Sequence, residues 1–402
     1  MAMRILMHHF ASLDALGGTE TAIRQIASGL RGRGHHVALA EMAPHGGRRE
    51  DGAGETIHCI PAARYPSLRS PRGLAANCRA GLALLRALHA TQSDILHVHL
   101  PLGQCVPALI ARAVRPRTRL VVTLHGPEVN LSPQLDPNVA AWQGRLLARA
   151  DATVAVAADL AFAAAAAYPE VPSVGVIHNG VETAMFNTCP ADLPRSDLLY
   201  VGRLSREKGV SVLLQAWAAA LRAPDLSADA RLVIAGDGPD RAALEAEARS
   251  AGIAGRVRFL GRVPRERLPR LYRRAVAVVL PSFTEALPLS LIEAAACGAP
   301  AIATAVGGTP EFVVHGETGI LVPAGDPASL RAAIARVIGA PALAAALGRM
   351  AALRAARRFS IGATVGAYEA LYASLGAGKP AARALASTRL AHRQGAAGSA
   401  LA

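Results

Sequence analysis

Ala275-Val276-Ala277-Val278-Val279-Leu280-Pro281-Ser282-Phe283-Thr284-Glu285-Ala286-Leu287-Pro288-Leu289-Ser290-Leu291-Ile292-Glu293-Ala294-Ala295-Ala296-Cys297-Gly298-Ala299-Pro300 reads as a strand, a turn and a helix in one run. The first six residues are apolar without alternation, as in a parallel strand covered on both faces. The strand ends at Pro281-Ser282, and a helix is expected from about Pro288, since proline fits a first helical turn. Glu285 then lies in the loop before the helix, and Glu293 about one and a half turns inside it. The free N–H groups of that first turn form an anion site. A glutamate near a helix start also complements the macrodipole, so the pattern alone leaves Glu285 open between a structural and a ligand role.

The same strand-then-helix pattern extends in both directions. Arg4–His8, Val37–Ala40, Thr56–Ile60, Asp94–Val98, Leu120–Leu124, Thr153–Val156 and Val174–Ile177 read as strands in the first half. Leu198–Val201, Arg231–Ala235, Val257–Leu260, Val276–Leu280 and Ala301–Ala303 do so in the second. Alternation of this kind, twice over, implies an α/β chain of two doubly wound domains. The turn-rich passage Val181–Asp197 marks the seam. The expected division is 1–185, 186–360, a helix over 361–375 crossing back to the first domain, and a flexible basic tail over 376–402. Ligands of open parallel sheets bind beyond the carboxyl ends of the strands, so two such sheets facing each other place the active site in the cleft between them.

Composition agrees with packed cores: of 402 residues, 52% are apolar, 18% charged and only 4% aromatic. That argues against disorder and against an aromatic-rich sandwich. The net charge of +14 favours anionic partners, although the excess of Arg over Lys is also what a GC-rich genome produces. The five cysteines are odd in number and include no C-x-x-C pair, which fits free thiols in a reducing compartment. The N-terminal Met1–His9 segment is too short and polar for a signal peptide, and no stretch reaches the roughly 18 apolar residues of a membrane span. A soluble cytoplasmic protein is expected. No basic helix with interleaved aromatics suggests a nucleic-acid partner.

Several further motifs fall in order along the chain. They are Gly17-Gly18-Thr19-Glu20, Arg33-Gly34-His35-x-Val37, His125-Gly126 and Asn179-Gly180-Val181 in the first half. The second half has Gly202-Arg203-Leu204, Glu207-Lys208-Gly209, Gly236-x-Gly238-Pro239, Gly307-Gly308-x-Pro310-Glu311 and Gly316-x-x-Gly319. With Glu285-x7-Glu293 in its Ser282-x-x-Glu285-x-x-Pro288-Leu289 frame, the ordered set resembles glycosyltransferase family 4 over about residues 3–375. The resemblance implies the GT-B fold, two Rossmann-like domains across a cleft. It also implies a retaining enzyme that takes a sugar, most simply a hexose, from a nucleotide-sugar donor. The acceptor would be a glycan, such as a bacterial cell-surface glycan, or a lipid-linked or small molecule.

In that frame His125, Arg203, Lys208 and Glu285 are the candidate catalytic residues. Gly17, Gly18, Gly202, Arg203, Lys208, Gly236, Gly238, Glu285, Ala286, Leu287, Leu289 and Glu293 are the candidate donor-binding set. Arg203 follows a strand and Lys208 is expected to start the next helix, two cations that can neutralise a diphosphate as the sugar bond breaks. A carboxylate accepts from both hydroxyls of a diol, and the resemblance assigns Glu293 to the ribose and Glu285 to the sugar hydroxyls. Gly17-Gly18 is expected directly after the first strand, where backbone can approach a ligand or merely turn tightly. It is not a full G-x-G-x-x-G, which argues against a dinucleotide site.

The resemblance makes His125 the residue facing the transferred sugar. His97 and His99, at i and i+2, share one strand face; they read as hydrogen-bonded strand-end residues or, with a third ligand, a metal site. No Asp-x-Asp is placed for a divalent ion, so no obligatory metal or cofactor is expected. Ala286-Leu287 departs from the Gly-aromatic pair common in the family, a change expected to reshape the sugar pocket. A sugar-nucleotide 2-epimerase of the same architecture is the alternative. Finally, Arg72, Arg79 and Arg86, with Arg69 before them, line one stripe of a helical pattern over Leu74–Leu88, with Leu74, Leu82, Leu85 and Leu88 apolar. Such a helix either touches an anionic membrane peripherally or is an ordinary surface helix.

Overall fold

A computed structural model describes residues 2–14, 17–52, 54–62, 70–130, 137–188, 195–223 and 230–377. It divides into two compact units, Met1–Asn179 with Gly362 onward, and Gly180–Ile361. The division falls at 179/180 where 185/186 was expected. Most of the tail expected over 376–402, along with Arg69 and Cys189, lies outside the described residues.

The first unit holds strands β1 (Arg4–His9), β2 (His36–Ala43), β3 (Gly47–Glu50), β4 (Thr56–Pro61), β5 (Ile95–His99), β6 (Arg119–Leu124), β7 (Ala152–Ala155) and β8 (Val174–Val176). Their order is β3-β4-β2-β1-β5-β6-β7-β8, parallel except for β3, which pairs antiparallel to β4 at the edge. The strand order reverses between β1 and β5, so a crevice opens beyond His9 and His99. The helix Ile361–Gly376 belongs to this unit by its contacts from Gly362 onward. Its Tyr368, Leu371 and Tyr372 are buried, and Glu369 binds Arg33 at 2.7 Å and His35 at 3.0 Å.

The second unit holds β9 (Asp197–Val201), β10 (Arg231–Ala235), β11 (Val257–Gly261), β12 (Ala275–Leu280), β13 (Ala301–Thr304) and β14 (Gly319–Val322). The order β11-β10-β9-β12-β13-β14 is parallel throughout, and the switch point lies between β9 and β12. β12 is buried along almost its whole length, as its unbroken apolar run requires. Trp217, Tyr200 and Tyr272 are the largest fully buried side chains among the described residues of this unit.

Three local expectations are corrected. Gly17-Gly18 does not follow β1 directly: the strand ends at His9, and Gly17 caps the helix Gly18–Gly32. Lys208 does not start a helix but ends the 3-10 turn Arg206–Lys208, and the helix begins at Val210 after Gly209. Pro288 is the cap of the helix Leu289–Ala296 and not a residue of its first turn.

Candidate functional site

In the second unit the loops that leave β9, β10, β12 and β13 are fastened to one another through their backbones. Leu204 N–H donates to Asp237 O at 2.9 Å, Phe283 N–H to Glu207 O at 2.8 Å and Gly308 N–H to Ala286 O at 3.0 Å. Glycine is required where these chains touch. A Cβ on Gly236 would stand 1.8 Å from Gly202 O, and one on Gly238 would stand 2.1 Å from Leu204 O. Gly307 is tighter still: its Cβ would lie 1.7 Å from Glu285 O, and its φ of +52° is left-handed. The Gly-rich motifs therefore have a structural job, holding four strand-end loops in register, independent of any ligand contact.

Those loops deliver the charged residues. Lys208 Nζ donates to Glu285 Oε1 at 2.6 Å, and Ser282 Oγ donates to the same oxygen at 2.8 Å. The Glu285 side chain is 8% exposed and that of Lys208 24%, so the pair is shielded but reachable. Arg203 is exposed; its carbonyl accepts from Tyr200 Oη at 2.7 Å, which shapes the turn beneath it. After Glu285 come Ala286, half-buried, and Leu287, buried; then Pro288 caps the helix that begins at Leu289. The N–H groups of a first helical turn have no partners inside the helix, so those of Leu289 and Ser290 suit an anion.

Glu293 lies apart from this group. Its Oε2 accepts from Tyr272 Oη at 3.1 Å and its Oε1 from Arg265 Nη2 at 3.2 Å. Arg265 also bonds Glu182 at 3.3 Å and lies over the Phe186 ring at 4.7 Å. Burial pushes the Glu293 carboxyl up, with Arg265 opposing. Arg265 and Tyr272 were not singled out from sequence. Arg265 sits in Arg265-Glu266-Arg267, where composition cannot tell a buried guanidinium from a solvated one, and Tyr272 reads as ordinary helix periodicity.

The first unit holds Gly17, Gly18 and His125. Gly17 and Gly18 open a helix whose Glu20 carboxylate accepts from His9 Nε2 at 3.0 Å. His125 follows β6, and its backbone N–H and that of Gly126 both donate to Glu128, the latter at 3.0 Å. Burial pushes the Glu128 carboxyl up to about 7 against those two bonds. The His125 ring meets His99 Nδ1 through Nε2 at 3.2 Å, and the His99 ring packs against that of His97 with centroids 3.8 Å apart and planes tilted by 36°. His97 is bonded on both nitrogens, to Thr123 Oγ1 at 2.7 Å and Tyr372 Oη at 2.6 Å. Burial holds His97 and His125 down at about 3 and His8 at about 4, so all three rings are neutral. No group of three or more His, Cys, Asp or Glu side chains poised to hold a metal occurs among the described residues.

Comparison with known proteins places both halves of the chain. Residues 16–185 match the model of Glycosyltransferase Family 4, and residues 185–354 that of Glycosyl transferases group 1. The chain is 31% identical over 381 residues to glycogen synthase of Mycobacterium tuberculosis (strain ATCC 25618 / H37Rv), covering 88% of this chain and 90% of the relative. Sucrose-phosphate synthase from Thermosynechococcus elongatus superposes with a TM-score of 0.78 at 23% identity, over 94% of this chain and 100% of the other. The HepE protein of Anabaena, in complex with UDP and glucose, gives a TM-score of 0.73 at 21% identity, over 92% of this chain and 100% of that one.

Proposed function

This chain belongs to glycosyltransferase family 4 and has the GT-B fold, and we propose that it transfers a hexose from a nucleoside-diphosphate sugar with retention at the anomeric carbon. The observation that carries the proposal is the Lys208–Glu285–Ser282 cluster beyond the carboxyl ends of β9 and β12, at the switch point of the sheet. A diphosphate seated on the amides of Leu287 and Leu289 would draw Lys208 and the exposed Arg203 toward it. Glu285, sharing Lys208 until then, would turn its acceptor oxygens to the sugar hydroxyls. Glu293 keeps free lone pairs beside Arg265 and Tyr272 with which to accept from ribose hydroxyls.

In the reaction the bond from the anomeric carbon to the leaving phosphate oxygen breaks, and the acceptor oxygen bonds to the same face of that carbon. The acceptor proton passes to the leaving phosphate. Lys208 and Arg203 stabilise the charge that grows on the diphosphate. His125 offers its ring to an oxygen of the sugar. The complex of HepE with UDP and glucose supports trying UDP-glucose first. A thermal-shift and hydrolysis screen of UDP-, GDP-, ADP- and dTDP-sugars tests the donor. Release of free nucleotide is expected to rise with acceptor, whereas release of a changed sugar without acceptor would mark an epimerase. Fixed cations meet the diphosphate in this reading, so turnover is expected to persist in excess EDTA. Complete loss, restored by magnesium or manganese, would overturn that part.

No single described helix is long and apolar enough to cross a membrane. The reading places the reaction in the cytoplasm, with the helix Pro71–Ala90 touching an anionic bilayer that carries a lipid-linked acceptor. Exposed Arg72, Arg79 and Arg86, together with Leu74 at 51% and Leu82 at 50% exposure, support it.

A further inference from the structure

Five histidines gather at the strand ends of the first unit: His8 and His9 on β1, His97 and His99 on β5, and His125 after β6. The first four rings are 0% exposed, and His125 alone of the five keeps some exposure, 6%. Three ring nitrogens among them, His8 Nε2, His9 Nδ1 and His99 Nε2, are buried with no hydrogen-bond partner among the described residues.

One of the three identifies its own tautomer. His8 Nδ1 faces Ala40 O at 3.4 Å, a carbonyl that only accepts, in a ring that burial keeps neutral, so Nδ1 carries the proton and the orphaned Nε2 is a bare lone pair. His9 Nε2 donates to Glu20 Oε1 at 3.0 Å. A buried lone pair without a partner costs less than a buried N–H without one. Applied to His99, the same preference leaves Nε2 bare and puts the proton on Nδ1, which donates to His125 Nε2 at 3.2 Å. His125, neutral and accepting through Nε2, must then carry its own proton on Nδ1.

The geometry points to His99 as a positioning residue for His125: it holds His125 in the tautomer protonated at Nδ1, so that the accessible ring meets an oxygen of the transferred sugar as a neutral hydrogen-bond donor. The surrounding structure fixes His99 closely. His97, itself held by Thr123 and Tyr372, packs against its ring, and Gln104 Nε2 donates to His99 O at 2.8 Å and to Leu100 O at 2.9 Å. Leu100 has a φ of +52°, a left-handed conformation that a leucine adopts only when its surroundings enforce it. The chain turns out of β5 in a strained conformation immediately after the ring that reaches His125. A general base at this position would need the opposite arrangement, an unprotonated nitrogen toward the substrate.

The role rests on the reading of His125 as a site residue; the tautomer does not. Two-bond proton–nitrogen correlation spectra of the full chain, labelled with nitrogen-15 histidine, read the tautomer directly. His125 is expected to show a protonated Nδ1 and a bare Nε2. His99→Phe removes the donor and should shift His125 toward Nε2–H. His99→Asn, whose amide N–H falls near the position of Nδ1, should restore the wild-type tautomer. With UDP-glucose as donor, His99→Phe should lower kcat about tenfold and leave KM within about twofold, the effect of one neutral hydrogen bond made only in the transition state. His99→Asn should recover most of that kcat. A protonated Nε2 on His125 in the wild type would overturn the inference, as would wild-type tautomer and kcat in His99→Phe. Wild-type kcat in His125→Phe, with the tautomer as expected, would remove the site reading and leave the tautomer assignment standing.

Discussion

Lys208 and Glu285 hold each other at 2.6 Å with Ser282 on the same carboxylate oxygen, so each neutralises a charge that the other leaves partly buried. Lys208→Ala should therefore do two things: cut turnover by roughly two orders of magnitude, and lower the melting temperature by leaving Glu285 with Ser282 alone. Arg203→Ala should cut turnover comparably with no change in melting, because Arg203 is exposed. Wild-type turnover in the folded double variant would sink the assignment. Glu293→Gln should mainly weaken UDP binding, and Glu285→Gln should reduce transfer with less effect on UDP affinity. Calorimetry with UDP separates them, and loss of UDP binding in Glu285→Gln would reverse the roles. Gly307 supplies a stability test: Gly307→Ala drives a Cβ to within 1.7 Å of Glu285 O at a φ of +52°, and should cost about 3 kcal/mol. Gly316, at φ +77° with open space around it, is the control, and Gly316→Ala should cost about 1–2 kcal/mol. Equal losses on thermal unfolding would show that backbone conformation, and not the loop contact, sets the need for glycine.

The helix Pro71–Ala90 packs Ala80, Leu84, Ala87 and Leu88 inward, after Ser70 caps it by accepting from Gly73 N–H at 3.0 Å. Of the four apolar positions read for this helix, Leu88 is buried and Leu85 half-buried, while Leu74 and Leu82 are exposed. Each basic residue near an anionic surface contributes about 1 kcal/mol, so Arg72, Arg79 and Arg86 together are worth roughly a hundredfold in binding at low salt. Sedimentation with phosphatidylglycerol-rich vesicles should capture the wild type and release it as salt rises. Changing the three arginines together to Glu should abolish capture. No capture of the wild type at low salt, or equal capture of the triple variant, would leave this an ordinary surface helix.

Across the whole molecule, acid sensitivity should be pronounced. Burial depresses His8 to about 4, His97 and His125 to about 3, and His99 well below its ordinary value. Between those values and about 6.5 the unfolded chain binds protons that the folded chain refuses, so stability rises with pH. The neutral histidines impose no penalty above about pH 6.5, and stability falls as pH drops below it, by up to about 1.4 kcal/mol per pH unit for each group. Glu128 and Glu293, pushed up by burial, run the other way above the usual glutamate range and reduce the net slope. Urea midpoints taken from pH 8 to pH 4 should fall steeply below about pH 6.5. His97→Phe should flatten that fall, and a flat profile in the wild type would contradict the burial of these rings as neutral groups.

Twelve of the fourteen strands among the described residues were legible as short apolar runs, because a strand covered on both faces needs near-continuous burial. β3 and β14 were not. Gly47-Arg48-Arg49-Glu50 is polar edge strand held only by pairing with β4, and Gly319–Val322 is too short to stand out from the motif before it. Glu285, Lys208 and His125 were singled out because the ordered motifs that contain them resemble glycosyltransferase family 4, not because local pattern assigns them a role. That Lys208 and Glu285 share an ion pair, that Glu293 keeps company with Arg265 and Tyr272, and that His125 leans on His99 could not be read along the chain. Those partners come from residues separated by 77, 28, 21 and 26 positions. Local propensity and periodicity act within a turn or a strand, and they dictated the elements. Which side chains then stand beside one another, and which nitrogen of a buried ring is left without a partner, depends on strand order and loop contacts that exist only once the sheet has formed.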